Sequence, residues 1–153
     1  MKALIFASGL GTRLRPLTDD RPKAFVEING MTLLEIVIHR LKKARVTDII
    51  VNVHHHAQMI IDFLQSKNNF EINISISDER DELLDTGGGL LKMADFFSDE
   101  KPFFVHNVDI LSNIDSKKMY DTHIKSKAVA TLSTRHRATS RYLLFNKKNE
   151  LYG

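Results

Sequence analysis

Short apolar runs alternate with helix-like segments along most of this 153-residue chain. The runs that are rich in Val, Ile, Leu or Phe, as β-strands are, lie at residues 3–7, 49–53, 72–76, 103–108, 129–133 and 142–145. A strand–helix alternation of this kind favours a mainly parallel sheet that is covered by helices on both faces. The sequence therefore predicts an α/β fold.

Four segments between these runs are predicted to be helical. Thr32, followed three residues later by Glu35, is a capping box that predicts the start of the first helix. Apolar residues with helical spacing follow it and recur in the next segment, at Leu34, Val37, Ile38 and Leu41 and at Ala57, Ile60, Ile61 and Leu64. The third helix is predicted at 90–97 and the fourth at Ser116–Ser126.

The pattern within each run predicts its place in the sheet. In the run 72–76, Ile alternates with Asn and Ser. This alternation indicates that one face is exposed to solvent and therefore predicts an edge strand. The runs at 3–7, 49–53 and 103–105 are read as continuously apolar, which is typical of central strands. Residues 142–145, a polar turn and residues 151–152 are expected to form a hairpin that is cut off as its second strand begins.

Composition excludes several classes of protein. Lys and Arg exceed Asp and Glu by 22 to 19, but they are spread along the chain, so no nucleic-acid partner is expected. The absence of cysteine excludes disulfides, thiolate zinc sites and a cysteine nucleophile. The first apolar run is too short for a signal peptide, and no stretch approaches the length that spans a bilayer. We expect a cytoplasmic protein without a membrane partner.

The first strand-like run ends in a glycine-bearing loop that is rich in cations. Gly9 and Gly11 let the backbone turn sharply and bring its N–H groups near an anion. Pro16 and Pro22 stiffen the loop. The loop cations are Arg13, Arg15, Arg21 and Lys23. A stiff cationic loop at the end of a strand is suited to holding a polyphosphate. In open α/β sheets ligands lie beyond the carboxyl ends of the strands, where this loop and residues 54–56, 78–89 and 107–109 are expected to converge.

The pattern GLGTRLRPLT, followed by RPK at 21–23, resembles the N-terminal signature of the sugar-1-phosphate nucleotidylyltransferases. DTGGG at 85–89 and VHNVD at 105–109 strengthen the resemblance. This family joins a nucleoside triphosphate to a sugar 1-phosphate, which yields a nucleotide sugar and pyrophosphate. The resemblance implies a Rossmann-like three-layer sandwich of the nucleotide-diphospho-sugar transferase type. It also implies that residues 1–153 are the N-terminal, nucleotide-binding portion of a nucleotidyltransferase domain that is truncated at its C-terminus.

The resemblance also assigns roles to residues. It places Arg13 at the β- and γ-phosphates, Lys23 near the α-phosphate and the attacking phosphate, and Asp109 on Mg²⁺, the expected cofactor. Cations are required there because both reactants are anionic. The expected nucleotide-binding residues are Ala7, Ser8, Gly9, Gly11, Thr12, Arg13, Glu79, Gly87 and Gly88. Ser8 departs from the family's usual alanine or glycine. Glu79 is expected to accept the N–H groups of guanine.

Several functions stay open. GTP and a mannose-type sugar are favoured, and a uridylyltransferase acting on N-acetylmuramate or hexose 1-phosphate is the alternative. A metal-dependent glycosyltransferase is the nearest enzymatic rival, and a non-catalytic nucleotide-binding or oligomerisation module is an alternative of another class. A homodimer is compatible with either class. A Rossmann oxidoreductase is disfavoured because Leu14 occupies the position of the third glycine.

Overall fold

The computed structural model describes residues 1–136, 138, 142–148 and 150–152. In chain order the elements are β1 (Lys2–Phe6), β2 (Glu27–Ile28), β3 (Met31–Thr32), α1 (Leu33–Lys43), β4 (Asp48–Val53), α2 (Ala57–Ser66), β5 (Asn73–Asp78), α3 (Asp85–Lys92), β6 (Phe104–Asn107) and α4 (Ser116–Ser126). Four parallel strands form the central sheet in the order β5–β4–β1–β6. Strands β2 and β3 pair with each other as a separate antiparallel hairpin. No helix in the described ranges is both long enough and apolar enough to cross a bilayer.

Helices cover both faces of the sheet, as predicted. Because successive side chains of a strand point to opposite faces, Ala3 and Ile5 of β1 face one layer and Leu4 faces the other. The first layer contains the buried apolar faces of α1 and α2. Leu4 packs instead with Met93, next to the C-terminal end of α3. On the first face, the ring of Tyr120 in α4 lies 5.8 Å from that of Phe104.

Helix α1 begins where its capping residue predicts. The Oγ1 atom of Thr32 accepts a hydrogen bond from the backbone N–H of Glu35 at 3.2 Å. The Glu35 carboxylate lies 3.8 Å from the ammonium of Lys67. The buried face of α1 consists of Leu33, Leu34, Val37, Ile38 and Leu41, which includes the four predicted positions. Helix α1 is therefore stabilised by one of the two hydrogen bonds of a capping box and by an apolar face that is buried against the sheet.

Two predictions about the strands near the carboxyl end of the chain are wrong. Residues 129–133 form no strand, and Val129 is fully exposed, so no described neighbour supplies the backbone partners that a strand needs. Residues 142–145, all of them described, form no strand either. The expected pairing of residues 142–145 with residues 151–152 is nevertheless present as an isolated antiparallel bridge between Phe145 and Leu151, beside a hydrogen bond from the N–H of Tyr152 to the carbonyl of Leu144 at 3.0 Å.

The order of the strands confirms one prediction and corrects another. Strand β5 lies at the edge of the sheet and exposes one face to solvent, as its alternation of Ile with polar residues predicts. Strand β6, which was predicted to be central, is the opposite edge, because among the described residues it pairs with β1 alone. Val105 of β6 is consequently 50% exposed. An edge strand with one covered face can be as apolar as a central strand. The apolar content of β6 therefore did not show that it has only one neighbouring strand among the described residues.

Candidate functional site at the carboxyl end of the sheet

The loop after β1 folds back on itself and is anchored at Gly11. The hydroxyl of Thr18, a buried side chain, donates to the carbonyl of Gly11 at 2.9 Å. Gly11 has a φ of +71°, and a Cβ at this position would lie 3.1 Å from Thr18 Cγ2 and 3.3 Å from Lys23 Cβ. Only glycine combines this backbone conformation with so close a neighbour. The contact holds the start of the loop against Lys23.

Lys23 and Asp109 meet in front of this loop. The Lys23 ammonium lies 3.0 Å from Asp109 Oδ2, and the two side chains are 16% and 34% exposed. A Cβ built on Gly9 would lie 3.4 Å from Lys23 Nζ, so Gly9 forms the third side of the same site. The N–H of Val108 donates to the carbonyl of Phe6 and continues the ladder between β1 and β6 as far as the residue before Asp109. The structure therefore brings together two of the three predicted catalytic residues.

The third predicted catalytic residue, Arg13, lies on the same loop in a short 3₁₀ turn, Thr12–Leu14. Its side chain is exposed, and no residue that the structure describes forms an ion pair with it. Arg15 and Arg21, in contrast, pair with neighbouring loop carboxylates, Asp19 and Asp20 respectively. The bonds from Arg21 hold the pKa of the exposed Asp20 carboxyl below its ordinary value. Arg13 is therefore the loop arginine that is open to an anionic ligand, although the structure does not bring it into contact with Lys23 or Asp109.

Asn52 is a residue of the site that the sequence reasoning missed. It is completely buried near the end of β4, and its Oδ1 accepts from the N–H groups of Ala7 at 2.7 Å and Ser8 at 3.3 Å. Its Nδ2 donates to Ser8 Oγ at 3.0 Å. The available signal was an amide inside the apolar run 49–53, since a buried polar side chain needs specific partners. The amides of Ala7 and Ser8 are thus occupied, and Gly9 is the first exposed residue of the loop.

Glu79 lies on the other side of Asn52. Its carboxylate is 1% exposed, and its Oε1 accepts from Asn52 Nδ2 at 3.1 Å. Its Oε2 is buried and has no hydrogen-bond partner among the described residues. The backbone carbonyl of Glu79 lies 2.6 Å from Nδ1 of His54. The residue that was expected to contact a base therefore points inward and retains one unused acceptor.

The glycine stretch at 87–89 is helical and not the loop that the sequence suggested. Helix α3 begins at Asp85, five residues before the predicted start, so the glycines form its first two turns. Gly87 is exposed and has open space where a Cβ would be, whereas a Cβ on Gly88 would lie 3.1 Å from that of Leu84. Gly89 is buried, and a Cβ there would lie 3.0 Å from Glu79 Oε1. Close packing of α3 against Glu79 explains the last of the three glycines.

Asp109 is the one predicted metal ligand. Among the described residues there is no group of three His, Asp or Glu side chains that could hold a metal ion. His106, three residues before Asp109, is half-buried, and burial holds its pKa below the ordinary value. Asp109 is thus the carboxylate that the described residues offer to a metal ion here, and Mg²⁺ is commonly bound by one or two carboxylates together with phosphate oxygens and water.

The model of the nucleotidyl transferase family matches residues 2–146. An N-acetylmuramate alpha-1-phosphate uridylyltransferase from Caulobacter vibrioides is 45% identical over 109 residues, which are 70% of this chain and 45% of the relative. A mannose-1-phosphate guanyltransferase from Yarrowia lipolytica is 34% identical over 146 residues, 93% of this chain and 40% of the relative. The chain spans about half the length of the curated relatives that it matches.

Solved structures agree with the fold. HddC from Yersinia pseudotuberculosis, complexed with GMP-PN, superposes with a TM-score of 0.70 at 31% identity. The match covers 80% of this chain and 54% of the HddC chain. A putative glucose-1-phosphate thymidylyltransferase from Bacillus anthracis gives a TM-score of 0.74 at 23% identity. That match covers 83% of this chain and 51% of the Bacillus anthracis chain. The second likeness concerns the fold alone. The predicted Rossmann-like α/β fold is confirmed.

Proposed function

The chain belongs to the nucleotidyl transferase family, as the resemblance in its sequence implies, and from this premise we propose that the protein transfers a nucleotidyl group from a nucleoside triphosphate to a sugar 1-phosphate. The observation that carries the proposal is the meeting of Lys23 and Asp109 beside Gly9 at the carboxyl end of the sheet. This is the edge of an open α/β sheet at which ligands bind. The activity is proposed for the whole protein, because the chain spans about half of its relatives.

In the proposed reaction, an oxygen of the sugar phosphate attacks the α-phosphorus of the nucleotide. A new P–O bond forms, the bond between the α-phosphorus and the bridging oxygen breaks, and pyrophosphate leaves with that oxygen. Lys23 offsets the repulsion between the two anions, and the exposed Arg13 binds the β- and γ-phosphates. The nucleophile is already ionised, so no general base is required. Lys23 pairs with Asp109 in this structure, and its ammonium has further N–H donors for an incoming phosphate.

The family generally uses a divalent metal ion, and we propose Mg²⁺ for this protein. Asp109 fits this role because its carboxylate is partly exposed and already faces a cation, the Lys23 ammonium. Mg²⁺ is commonly bound by one or two carboxylates together with phosphate oxygens and water. When bound, the ion would neutralise charge on the triphosphate. Asp109 would hold it, and Lys23 would be released to bind phosphate.

The proposed nucleotide contacts lie on two sides of this centre. On one side is the loop after β1, where Gly9, Gly11, Thr12 and Arg13 follow a turn bounded by Ala7 and Ser8. On the other side are Gly87 and Gly88 in the first turns of α3. The free Oε2 of Glu79 is the proposed acceptor for the N–H groups of guanine. Since Glu79 is 1% exposed and α3 packs against it, part of α3 must move before a guanine base can reach the carboxylate.

Two nucleotides are supported by different relatives. The mannose-1-phosphate guanyltransferase relatives and the GMP-PN complex of HddC favour GTP with a mannose-type sugar. The higher identity to an N-acetylmuramate alpha-1-phosphate uridylyltransferase favours UTP with that sugar phosphate as the second candidate. A cytoplasmic location, a homodimer and the assignment of residues 1–153 to an N-terminal portion of the domain stay predictions.

Pyrophosphate release tests the proposal. The protein is incubated with Mg²⁺, GTP or UTP, and a panel of sugar 1-phosphates. Lys23→Ala is expected to lower the rate about ten- to a hundredfold, because a charge-assisted bond contributes roughly 1.5–3 kcal/mol. Lys43→Ala is the matched control and should leave the rate unchanged, since Lys43 is exposed in the last turn of α1, at the opposite end of the sheet.

The remaining outcomes separate the alternatives. Tight nucleotide binding without pyrophosphate release would favour a non-catalytic module over the enzyme. Release that is equally fast in the Lys23→Ala and Lys43→Ala variants would remove Lys23 from the mechanism. Arg13→Ala is expected to weaken triphosphate binding more than monophosphate binding, because its proposed partners are the β- and γ-phosphates.

A further inference from the structure

We propose that Asn52 is a positioning residue of the nucleotide site: its side-chain amide locks the turn after β1 to Glu79 and so determines which part of the loop faces the nucleotide. The inference rests on the proposed function. It is carried by the complete set of hydrogen bonds around Asn52, a residue that does not itself reach the surface.

Every polar position of the Asn52 amide is occupied. A side-chain amide offers two N–H donors and one oxygen with two lone pairs. The oxygen accepts from the N–H groups of Ala7 and Ser8. The nitrogen donates to Ser8 Oγ and to Glu79 Oε1. The amide is therefore fixed in one orientation, with its oxygen towards the turn after β1 and its nitrogen shared with Glu79.

The same network reaches α3. A Cβ on Gly89 would lie 3.0 Å from Glu79 Oε1 and 3.4 Å from Asn52 Nδ2, so the helix packs directly on the Asn52–Glu79 pair. Asn52 thus joins three segments that border the proposed site: the turn after β1, the residue after β5, and α3. Because the Ala7 and Ser8 amides are turned towards Asn52, the exposed part of the loop begins at Gly9.

Donor and acceptor roles make this network testable by exchange. Asn52→Asp keeps an acceptor for the two amides but places two carboxylates 3.1 Å apart. Glu79→Gln keeps an acceptor for Asn52 but turns an N–H group towards the position of the free Oε2. In the double variant, the introduced glutamine amide donates to the introduced aspartate carboxylate, and the glutamine oxygen takes the place of Oε2. The bond between the two side chains is restored with its direction reversed.

The experiment measures GTP and UTP affinity by calorimetry for the wild type, both single variants and the double variant, together with hydrogen exchange at the Ala7 and Ser8 amides. Asn52→Asp is expected to weaken GTP binding about tenfold and to accelerate exchange at these amides, because repulsion between two buried carboxylates pushes the aspartate away from Glu79 and disturbs its bonds to the Ala7 and Ser8 amides. Glu79→Gln is expected to weaken GTP binding more than UTP binding and to leave the exchange unchanged. The double variant should regain GTP affinity to within about threefold of the wild type.

Each outcome is decisive. If Asn52→Asp fails to fold, recovery of folding and GTP binding in the double variant still supports the proposal. A double variant that recovers neither affinity nor amide protection overturns it, as does an Asn52→Asp variant with wild-type affinity and exchange. A wild-type protein that binds neither nucleotide contradicts the proposed function instead, while hydrogen exchange still reports whether Asn52 holds the turn.

Discussion

Substitution of Gly89 by alanine should destabilise the protein, although alanine is the better helix former. Gly89 is buried in α3, where alanine would ordinarily be favoured by about 1 kcal/mol. The added Cβ, however, would lie 3.0 Å from Glu79 Oε1, 3.3 Å from Phe6 Cε1 and 3.4 Å from Asn52 Nδ2. Neither polar atom can move away freely, because Glu79 is bonded to Asn52 and both side chains are buried.

The magnitude follows from the two opposing effects. Adding a methyl group to a packed interior costs typically 1–3 kcal/mol, of which the helix preference of alanine recovers about 1 kcal/mol. Gly89→Ala should therefore lower the free energy of unfolding by up to about 2 kcal/mol, with a midpoint of about 1 kcal/mol. The larger part of the cost arises from the displaced Glu79 carboxylate, since a weakened bond to Asn52 would leave buried polar atoms without partners.

The matched control lies two residues earlier in the same helix. At Gly87, apart from its chain neighbours and the backbone of its own helix, no atom of the described residues lies within 4 Å of the position that a Cβ would take, and the residue is exposed. Gly87→Ala should raise the free energy of unfolding by about 0.5 kcal/mol through helix preference and through loss of freedom in the unfolded chain. Urea and thermal denaturation, followed by circular dichroism, should separate the two variants by roughly 1.5 kcal/mol, or about 3–6 °C in Tm.

The comparison is decisive because both variants make the same chemical change in one helix. If Gly89→Ala were as stable as Gly87→Ala, the close packing of α3 on the Asn52–Glu79 pair would be contradicted. Gly88→Ala, whose Cβ would meet the Leu84 side chain at 3.1 Å, is expected to fall between the two.

Two further predictions concern stability away from the site. Thr32→Ala should lower the free energy of unfolding by about 1 kcal/mol in chemical denaturation, because the Glu35 N–H loses its acceptor, whereas Thr32→Ser should keep that acceptor and most of the stability. Hydrogen bonds from Thr47 and Asn73 hold the pKa of Asp48 below its ordinary value of 3.8, so their stabilisation is present above that pH and is lost as the pH falls through the lowered pKa. Acid titrations should accordingly show a flatter loss of stability for Asp48→Asn, and an unchanged acid slope would contradict this reasoning.

Local sequence patterns predicted most of the architecture. Helices α1 and α2 were predicted from apolar residues at helical spacing and, for α1, from its capping residue. Strand β5 was predicted from its alternation of apolar and polar residues. Both kinds of signal lie in residues that are close together in the chain. The loop from Gly9 to Lys23 was also recognisable, because its glycines, prolines and cations form a contiguous motif. Lys23 and Asp109, which are far apart in the chain, could be expected to meet because both follow strands that end at the same edge of a parallel sheet.

Other features depend on partners that no local pattern specifies. Residues 129–133 have strand-like composition, but a strand forms only where a neighbour satisfies its backbone, and the described structure provides none there. Strand β6 looked central because apolar content does not report how many strands pair with it. The glycines at 87–89 looked like a loop because their low helix preference is overridden by the packing of α3 against the sheet.

By itself, therefore, the sequence determined most elements of the fold, the family and the cationic loop, since periodicity and contiguous motifs encode these directly. Only the tertiary structure decided what each candidate side chain does. It paired Lys23 with Asp109, buried Glu79 and made Asn52 the residue that connects Ala7, Ser8 and Glu79. Hydrogen-bond partners that lie far apart in the chain are selected by the meeting of strand ends, and that meeting exists only once the sheet has formed.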